Sequence, residues 1–264
     1  MRSLDALDAI AARALRGVLF DLDDTLLSHG VLTREAYGAL WDLKDAGLGL
    51  VAVTGRPSGW GEVIARQWPI DFAVTENGAI TIARDGPGVA VHDPCSDDER
   101  RGRRVRLARL VEEVRARVPE ARLTDDIGAR RSDVTWDVGE RVRLAEDRVA
   151  EIQRAIRDAG ATTTRSSVHL HATFDPDDKA TGSVRALRAL RGEDATSARS
   201  AWAFVGDSGN DRACFAAFAC TFGVANVRAR LGALTATPRW VSRAEMGAGF
   251  AEIARALLAA RRPA

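Results

Sequence analysis

Carboxylates crowd one short stretch of this sequence. Asp21, Asp23 and Asp24 stand directly after the apolar run Gly17-Val18-Leu19-Phe20 and just before Thr25. Like charges gathered at a strand end repel one another and are tolerated when a cation neutralises them. Oxygen donors suit a hard divalent ion, Mg²⁺ foremost. Taken alone, an acidic solvated turn with Thr25 as a helix cap would account for the same residues. A second acidic loop, Gly206-Asp207-Ser208-Gly209-Asn210-Asp211, follows the apolar run 201–205 and could supply the other half of a cation site. Thr54-Gly55-Arg56-Pro57 follows the run 48–53, and its hydroxyl and glycine-freed backbone could cradle a phosphate oxygen, although a turn with Pro57 at the first helical position explains it equally well. Lys179 comes after Asp175-Pro176-Asp177-Asp178. Its ammonium could bridge a nucleophilic carboxylate and a transferring phosphoryl group, or could be a plain surface charge.

These groups need elements to hold them. Short apolar runs that end in polar loops alternate with amphipathic stretches, the pattern of an α/β protein with a parallel sheet. Strands are expected at 17–20, 48–53, 71–74, 201–205 and 220–224, and the chemistry-bearing loops sit at three of their ends, where an open α/β sheet places ligands. Helices are expected at 33–46, 58–67, 181–190 and 249–260, and Leu4, Leu7, Ile10 and Ala14 suggest a leader helix for packing. Between residues 84 and 175 the rhythm changes, with helical stretches at 97–118 and 144–159 and alternating segments at 133–138 and 167–173. This reads as an α+β insertion, with hinges expected at Gly86-Pro87-Gly88 and Asp175-Pro176-Asp177.

The 264 residues give ample core without staples, and the odd set Cys95, Cys214 and Cys220 lacks zinc or redox spacing, which fits a reducing, cytoplasmic setting with the cysteines as buried spectators. Asp5 and Asp8 interrupt any signal-peptide core, and no run reaches membrane-spanning length. A net charge of +1, with the Arg-rich middle balanced by carboxylates, argues against nucleic-acid or membrane partners. All basic residues except Lys44 and Lys179 are arginines.

The order and placement of the four motifs resemble the haloacid-dehalogenase superfamily. Asp21, Asp23 and Thr25 match its D-x-D-x-T/V motif, Thr54 the hydroxyl after the second strand, Lys179 the lysine, and Gly206, Asp207 and Asp211 the closing acidic motif. The insertion between the second and third motifs, together with Glu76-Asn77-Gly78-Ala79, resembles the subgroup with an α/β cap, which includes Cof-type hydrolases and sucrose, trehalose and mannosyl-phosphoglycerate phosphatases. The resemblance implies a Rossmann-like α/β core of residues 1–83 and 176–264 and an α+β cap of residues 84–175.

It also implies a mechanism. Asp21 would attack phosphorus and form an aspartyl-phosphate, and Asp23 would protonate the leaving alcohol and then deprotonate water. Thr54, Gly55 and Arg56 would hold phosphoryl oxygens, with Lys179 offsetting their charge. Mg²⁺ would be bound by Asp21, Asp207, the Asp23 carbonyl, and Asp211 directly or through water. Asn77 and Asn210 would orient phosphate and the metal loop. The expected partner is a small phosphate ester, a sugar phosphate by preference, chosen by the cap, where Trp136, Arg165, His169 and His171 are the candidate contacts. A phosphohexomutase running the same chemistry, and a non-catalytic phospho-ligand binding protein, are the alternatives.

Overall fold

Apolar runs of four or five residues build the centre of the molecule, a computed structural model describing residues 1–166 and 168–262. β1 (Arg2–Ser3) and the short helix α1 (Ala9–Ala14) precede β2 (Gly17–Phe20). There follow α2 (Arg34–Asp45), β3 (Gly49–Val53), α3 (Ser58–Gln67), β4 (Phe72–Thr75) and the hairpin of β5 (Ile80–Asp85) with β6 (Gly88–His92). A second unit holds α4 (Asp97–Arg117), β7 (Arg122–Leu123), β8 (Asp133–Asp137), α5 (Glu146–Asp158), β9 (Thr162–Arg165) and β10 (His169–Thr173). The chain returns through α6 (Lys179–Arg191), α7 (Ala195–Ser200), β11 (Trp202–Gly206), α8 (Arg212–Ala217), β12 (Cys220–Gly223), β13 (Trp240–Val241) and α9 (Met246–Arg261).

The first sheet has nine strands in the order β1-β13-β12-β11-β2-β3-β4-β5-β6, parallel from β1 through β4 and antiparallel over the β5–β6 hairpin. Its central strands alternate between two apolar cores. Val18, Phe20, Leu50, Ala52, Ala203 and Val205 face one side, with α2 and α9. Leu19, Val51, Val53, Trp202 and Phe204 face the other, with α6, α7 and α8. Burial on both faces is why these strands read as continuous apolar runs in the sequence. Gly17 leaves room for Trp202, since a Cβ there would sit 2.2 Å from the indole ring. The second, four-stranded sheet has the order β7-β8-β10-β9, is antiparallel, and packs with α4 and α5 around its own core of Leu110, Trp136, Ile152 and Leu170.

Two expectations need correcting. Residue 84 does not open the insertion, because Arg84 pairs with Val89 inside the β5–β6 hairpin of the first sheet. Gly86-Pro87-Gly88 is the tip of that hairpin, and the chain leaves the core only after His92. The two crossings lie together: Arg100 donates to Asp93 (2.8 Å) and to Asp175 (2.6 Å), and Arg103 also reaches Asp175 (2.6 Å). The expected leader helix is also broken. Asp8 caps α1 through Ile10 N (2.9 Å), and Ile10 points to solvent at 79% exposure while Leu4 and Ala12 are buried. Of the expected segment 167–173, Ser167 lies outside the described residues.

Among the described residues no helix is long and apolar enough to cross a membrane.

Candidate active site

β3 and β11 flank β2 on its two sides, so the loops that follow these three strands share one edge of the sheet at the point where strand order switches direction. Asp21 leaves β2 with its N–H donated to Val205 O on β11 (2.9 Å). Residues Leu22–Leu26 then form a wide irregular turn, closed by Leu27 N–H on Leu22 O (2.8 Å) and carrying Asp24 at φ 57°. Across the strand edge, Asp178 caps α6 by accepting from Thr181 N (2.8 Å). The cap starts the helix two residues earlier than the apolar pattern indicated and sets Lys179 in its first turn.

Lys179 is buried, and its Nζ lies 2.6 Å from Asp21 Oδ1 and 2.7 Å from Asp211 Oδ1. The other oxygen of Asp211 accepts the backbone N–H groups of Asp207 (2.9 Å) and Ser208 (3.0 Å), so this one carboxylate both shapes the acidic loop and steadies the lysine. Asp207 accepts from Thr25 Oγ1 (3.3 Å), Asn226 Nδ2 (2.8 Å) and Arg230 (2.7 Å). Thr25 is therefore a brace for Asp207 instead of a helix cap. Carboxylate oxygens of Asp21, Asp207 and Asp211, all buried, lie within 4.8 Å of one another.

Charge in this cluster is unbalanced. Burial pushes Asp21 up to about 7 against the pull of Lys179, with Asp211 and Asp23 adding to the rise. Burial, then Asp211 and Asp21, raises Asp207 well above the carboxylate range. Burial opposes the Lys179 charge, yet Asp21 and Asp211 outweigh it and hold the ammonium above its ordinary range. Three buried carboxylates, two of them resisting ionisation, make an all-oxygen donor set that a hard divalent cation fits.

The remaining core candidates converge on the same edge. Thr54 is buried, and its hydroxyl oxygen accepts Arg56 N–H (3.0 Å). Asn77, at φ 54°, accepts through Oδ1 from Asn210 Nδ2 (3.3 Å), joining the loops that follow β4 and β11. Arg56 differs from expectation. Its guanidinium forms a bidentate pair with Asp23 (2.8 and 2.9 Å), lies over Trp60, and reaches Glu140 of the second unit at 3.5 Å.

A cavity of about 10 Å³ is enclosed by Asp21, Asp23, Gly55, Ser166, His169, His171, Ser208 and Asn210, so the second unit contributes one of its walls. His169 and His171 share a face of β10, as their spacing indicated. His169 Nε2 meets Glu140 (2.7 Å). The other two candidates of the second unit are placed elsewhere. Trp136 is buried in that unit's own apolar core, and the Arg165 side chain forms two bonds with Glu146 (2.7 and 2.8 Å). A larger cleft of about 830 Å³ beside Asp42, Arg255 and Arg261 is lined by none of these site residues.

Sequence reasoning missed several supports. Glu76 is buried beneath the second unit and accepts from Ser58 N (2.9 Å), Arg131 N (3.0 Å) and Ser132 N (2.6 Å). Asn226 and Arg230 follow β12, another strand end, which was the available signal for them.

Residues 18–96 match the sequence model of haloacid dehalogenase-like hydrolases. No curated protein matches the chain. Among solved structures, a Thermoplasma acidophilum protein has a TM-score of 0.73 at 18% identity, covering 92% of this chain and 98% of its own. A Bacteroides thetaiotaomicron protein, described among phosphatases of the haloalkanoate superfamily, gives 0.64 at 18%, covering 93% and 95%. The sucrose-phosphatase of Synechocystis, solved with sucrose and phosphate, gives 0.65 at 14%, covering 92% and 98%.

Proposed function

From the match of residues 18–96 to haloacid dehalogenase-like hydrolases and the likeness of the fold to solved structures, we propose that the chain is a Mg²⁺-dependent phosphatase of a small phosphate monoester, a sugar phosphate by preference. The observation that carries this is the Lys179 ammonium seated between Asp21 and Asp211, with Asp207 alongside. Binding alone has no need of a lysine-paired carboxylate two residues from a second acid.

In this reading Asp21 attacks phosphorus, the bond to the alcohol oxygen breaks, and Asp23 donates the proton that oxygen takes up. Asp23 then removes a proton from water, which attacks the aspartyl-phosphate at phosphorus and frees phosphate and Asp21. Arg56 holds the Asp23 carboxylate at the rim of the pocket, and Asp23 leaves that pair to take up the proton it donates. Thr54 and the backbone after it receive phosphoryl oxygens, and Lys179 offsets charge that grows on them. Asp21, Asp207, Asp211 and the Asp23 carbonyl would hold Mg²⁺, whose charge, when bound, neutralises phosphoryl oxygens. Sequestration of the pocket under the second unit, which we propose as a cap of residues 93–175, excludes water from the attack. The free thiols Cys95, Cys214 and Cys220 support a cytoplasmic setting.

The test is phosphate release from a panel of sugar phosphates, polyol phosphates and nucleotides with Mg²⁺ and with EDTA. Release from at least one sugar phosphate, stopped by EDTA and restored by Mg²⁺, is expected. Silence across the panel contradicts the proposal, and conversion of a hexose 1-phosphate to its 6-phosphate without free phosphate identifies a mutase instead.

A further inference from the structure

β10 projects two histidines into the catalytic pocket, and one of them has an idle nitrogen. His171 is buried, and its Nδ1 lies 3.0 Å from Asp133 Oδ2 and 3.1 Å from Thr135 Oγ1. Its Nε2 is buried without any partner. Among the described residues it is the one such orphan that lines the pocket with Asp21 and Asp23. Orphaned polar atoms of this kind are costly in a folded interior and point to a partner that arrives with a ligand.

The surroundings fix which kind of partner. Arg130 donates to both oxygens of Asp133 (3.0 and 3.1 Å), so this carboxylate is ionised and can only accept. The proton between Asp133 and His171 must then sit on Nδ1, and in the neutral ring Nε2 is a bare acceptor. Arg130 pairs with Asp133 and also serves Asp126 (3.1 Å), so the ring lies beside a positive charge as well as a negative one. Burial lowers the His171 pKa against the pull of Asp133, and Arg130 and His169 lower it further, in line with a neutral ring. A phosphoryl oxygen carries no hydrogen to offer such an atom, whereas an alcohol does. The backbone is shaped to let the ring in, since a Cβ on Gly55 would lie 3.2 Å from His171 Cε1 and equally close to Asn77.

We infer that His171, oriented by Asp133, is a specificity-determining residue whose Nε2 accepts a hydrogen bond from a hydroxyl of the esterified alcohol, so that the site selects phosphate esters of polyols and sugars over esters lacking that hydroxyl. The inference rests on the phosphatase reading and deepens it. A site that buries an acceptor for one substrate hydroxyl rejects the analogue without it more strongly than an apolar pocket can reject an added group. Asp133 acts through His171, as a positioning residue.

The experiment measures kcat and KM with Mg²⁺ for two pairs matched in carbon number, glycerol 3-phosphate with n-propyl phosphate and glucose 6-phosphate with n-hexyl phosphate. Wild-type protein, His171→Ala and His171→Gln are compared, each checked for cooperative thermal unfolding. The wild type should favour the hydroxylated member of at least one pair by about tenfold or more in kcat/KM. His171→Ala should bring that ratio down to near one, chiefly by loss on the hydroxylated ester. His171→Gln, whose amide carbonyl restores an acceptor, should recover part of the ratio. A wild-type ratio near one in both pairs, or equal losses on both members in His171→Ala and His171→Gln, overturns the assignment while leaving the phosphatase reading intact. If the wild type releases phosphate from none of the four esters, the phosphatase reading fails on these probes and the His171 role falls with it.

Discussion

Lys179 carries the strongest residue-level expectation. The chain fills its basic positions with arginine, so each lysine calls for a local reason. Lys44 has one in its pair with Asp71 at 2.5 Å on a half-exposed surface. Lys179 sits at a helix start, where a cation is mildly disfavoured, and its reason is the pair of carboxylates it bridges. A planar guanidinium is too wide for a compact, fully buried slot between two oxygens. Lys179→Arg should therefore lose on the order of 100-fold or more in turnover, as expected for a transition-state electrostatic contact, while Lys44→Arg stays near wild type. Equal losses in both would show that Lys179 is no special group; steady-state hydrolysis of the best ester reads this directly. The carboxylates give a second expectation. Asp21 and Asp207 bind protons more tightly in the folded chain than in the unfolded one, so their contribution to stability is full at low pH and is lost as pH rises, for Asp21 from about 4 through about 7. Held at this cluster as proposed, Mg²⁺ would compete with those protons and relieve the repulsion left once they are gone. The rise in Tm on adding Mg²⁺ should thus be small at pH 5 and grow by pH 8, and an increment equal at both would contradict the placement of the ion at this cluster.

At the scale of elements, what could be read ahead of the structure was what periodicity and strand ends encode. β2, β3 and β11 were legible because both faces are buried, which leaves runs such as Gly17–Phe20 with no polar residue. The loops after β2 and β11 were legible because clustered carboxylates have few structural uses. The hairpin of β5 and β6 was not, since Gly86-Pro87-Gly88 is as good a hinge as a hairpin tip and only the register with β4 decides between them. Trp136 and Arg165 were offered as substrate contacts on residue type, but side-chain direction within the second unit sends one to its core and the other to Glu146. Glu76 was quoted for its motif and not for its work, because its three backbone donors come from segments remote in sequence. That work is testable: Glu76→Ala leaves the buried N–H groups of Ser58 and Ser132, and the part-buried one of Arg131, without their acceptor, at a cost of about 1–3 kcal/mol. Urea unfolding should show this loss, and a stability unchanged from wild type would mean that Glu76 does not tie the second unit to α3.

For the whole molecule, the two sheets have separate cores and meet over the catalytic edge, where the enclosed cavity of about 10 Å³ has room for roughly one water and none for a phosphate ester. On the phosphatase reading, substrate entry would need the second unit to swing away, and the paired crossings at Asp93 and Asp175, joined through Arg100, are where that motion would pivot. Because the crossings adjoin, replacing residues 94–174 by a short Gly-Ser bridge should leave a folded core that hydrolyses small activated esters slowly and no longer ranks natural ones. Retention of the parent's ranking by the truncated protein would place selectivity in the core. The central claim, that the whole assembly exists to let the Asp21 carboxylate attack phosphorus, has a more direct test in Asp21→Asn. The amide cannot attack, and removing one charge from a crowded cluster relieves repulsion, so the variant should stay folded with a Tm at or above that of the wild type. Its Mg²⁺-dependent phosphate release should fall by roughly 10³-fold or more. Release within tenfold of the wild type would contradict the account at its root.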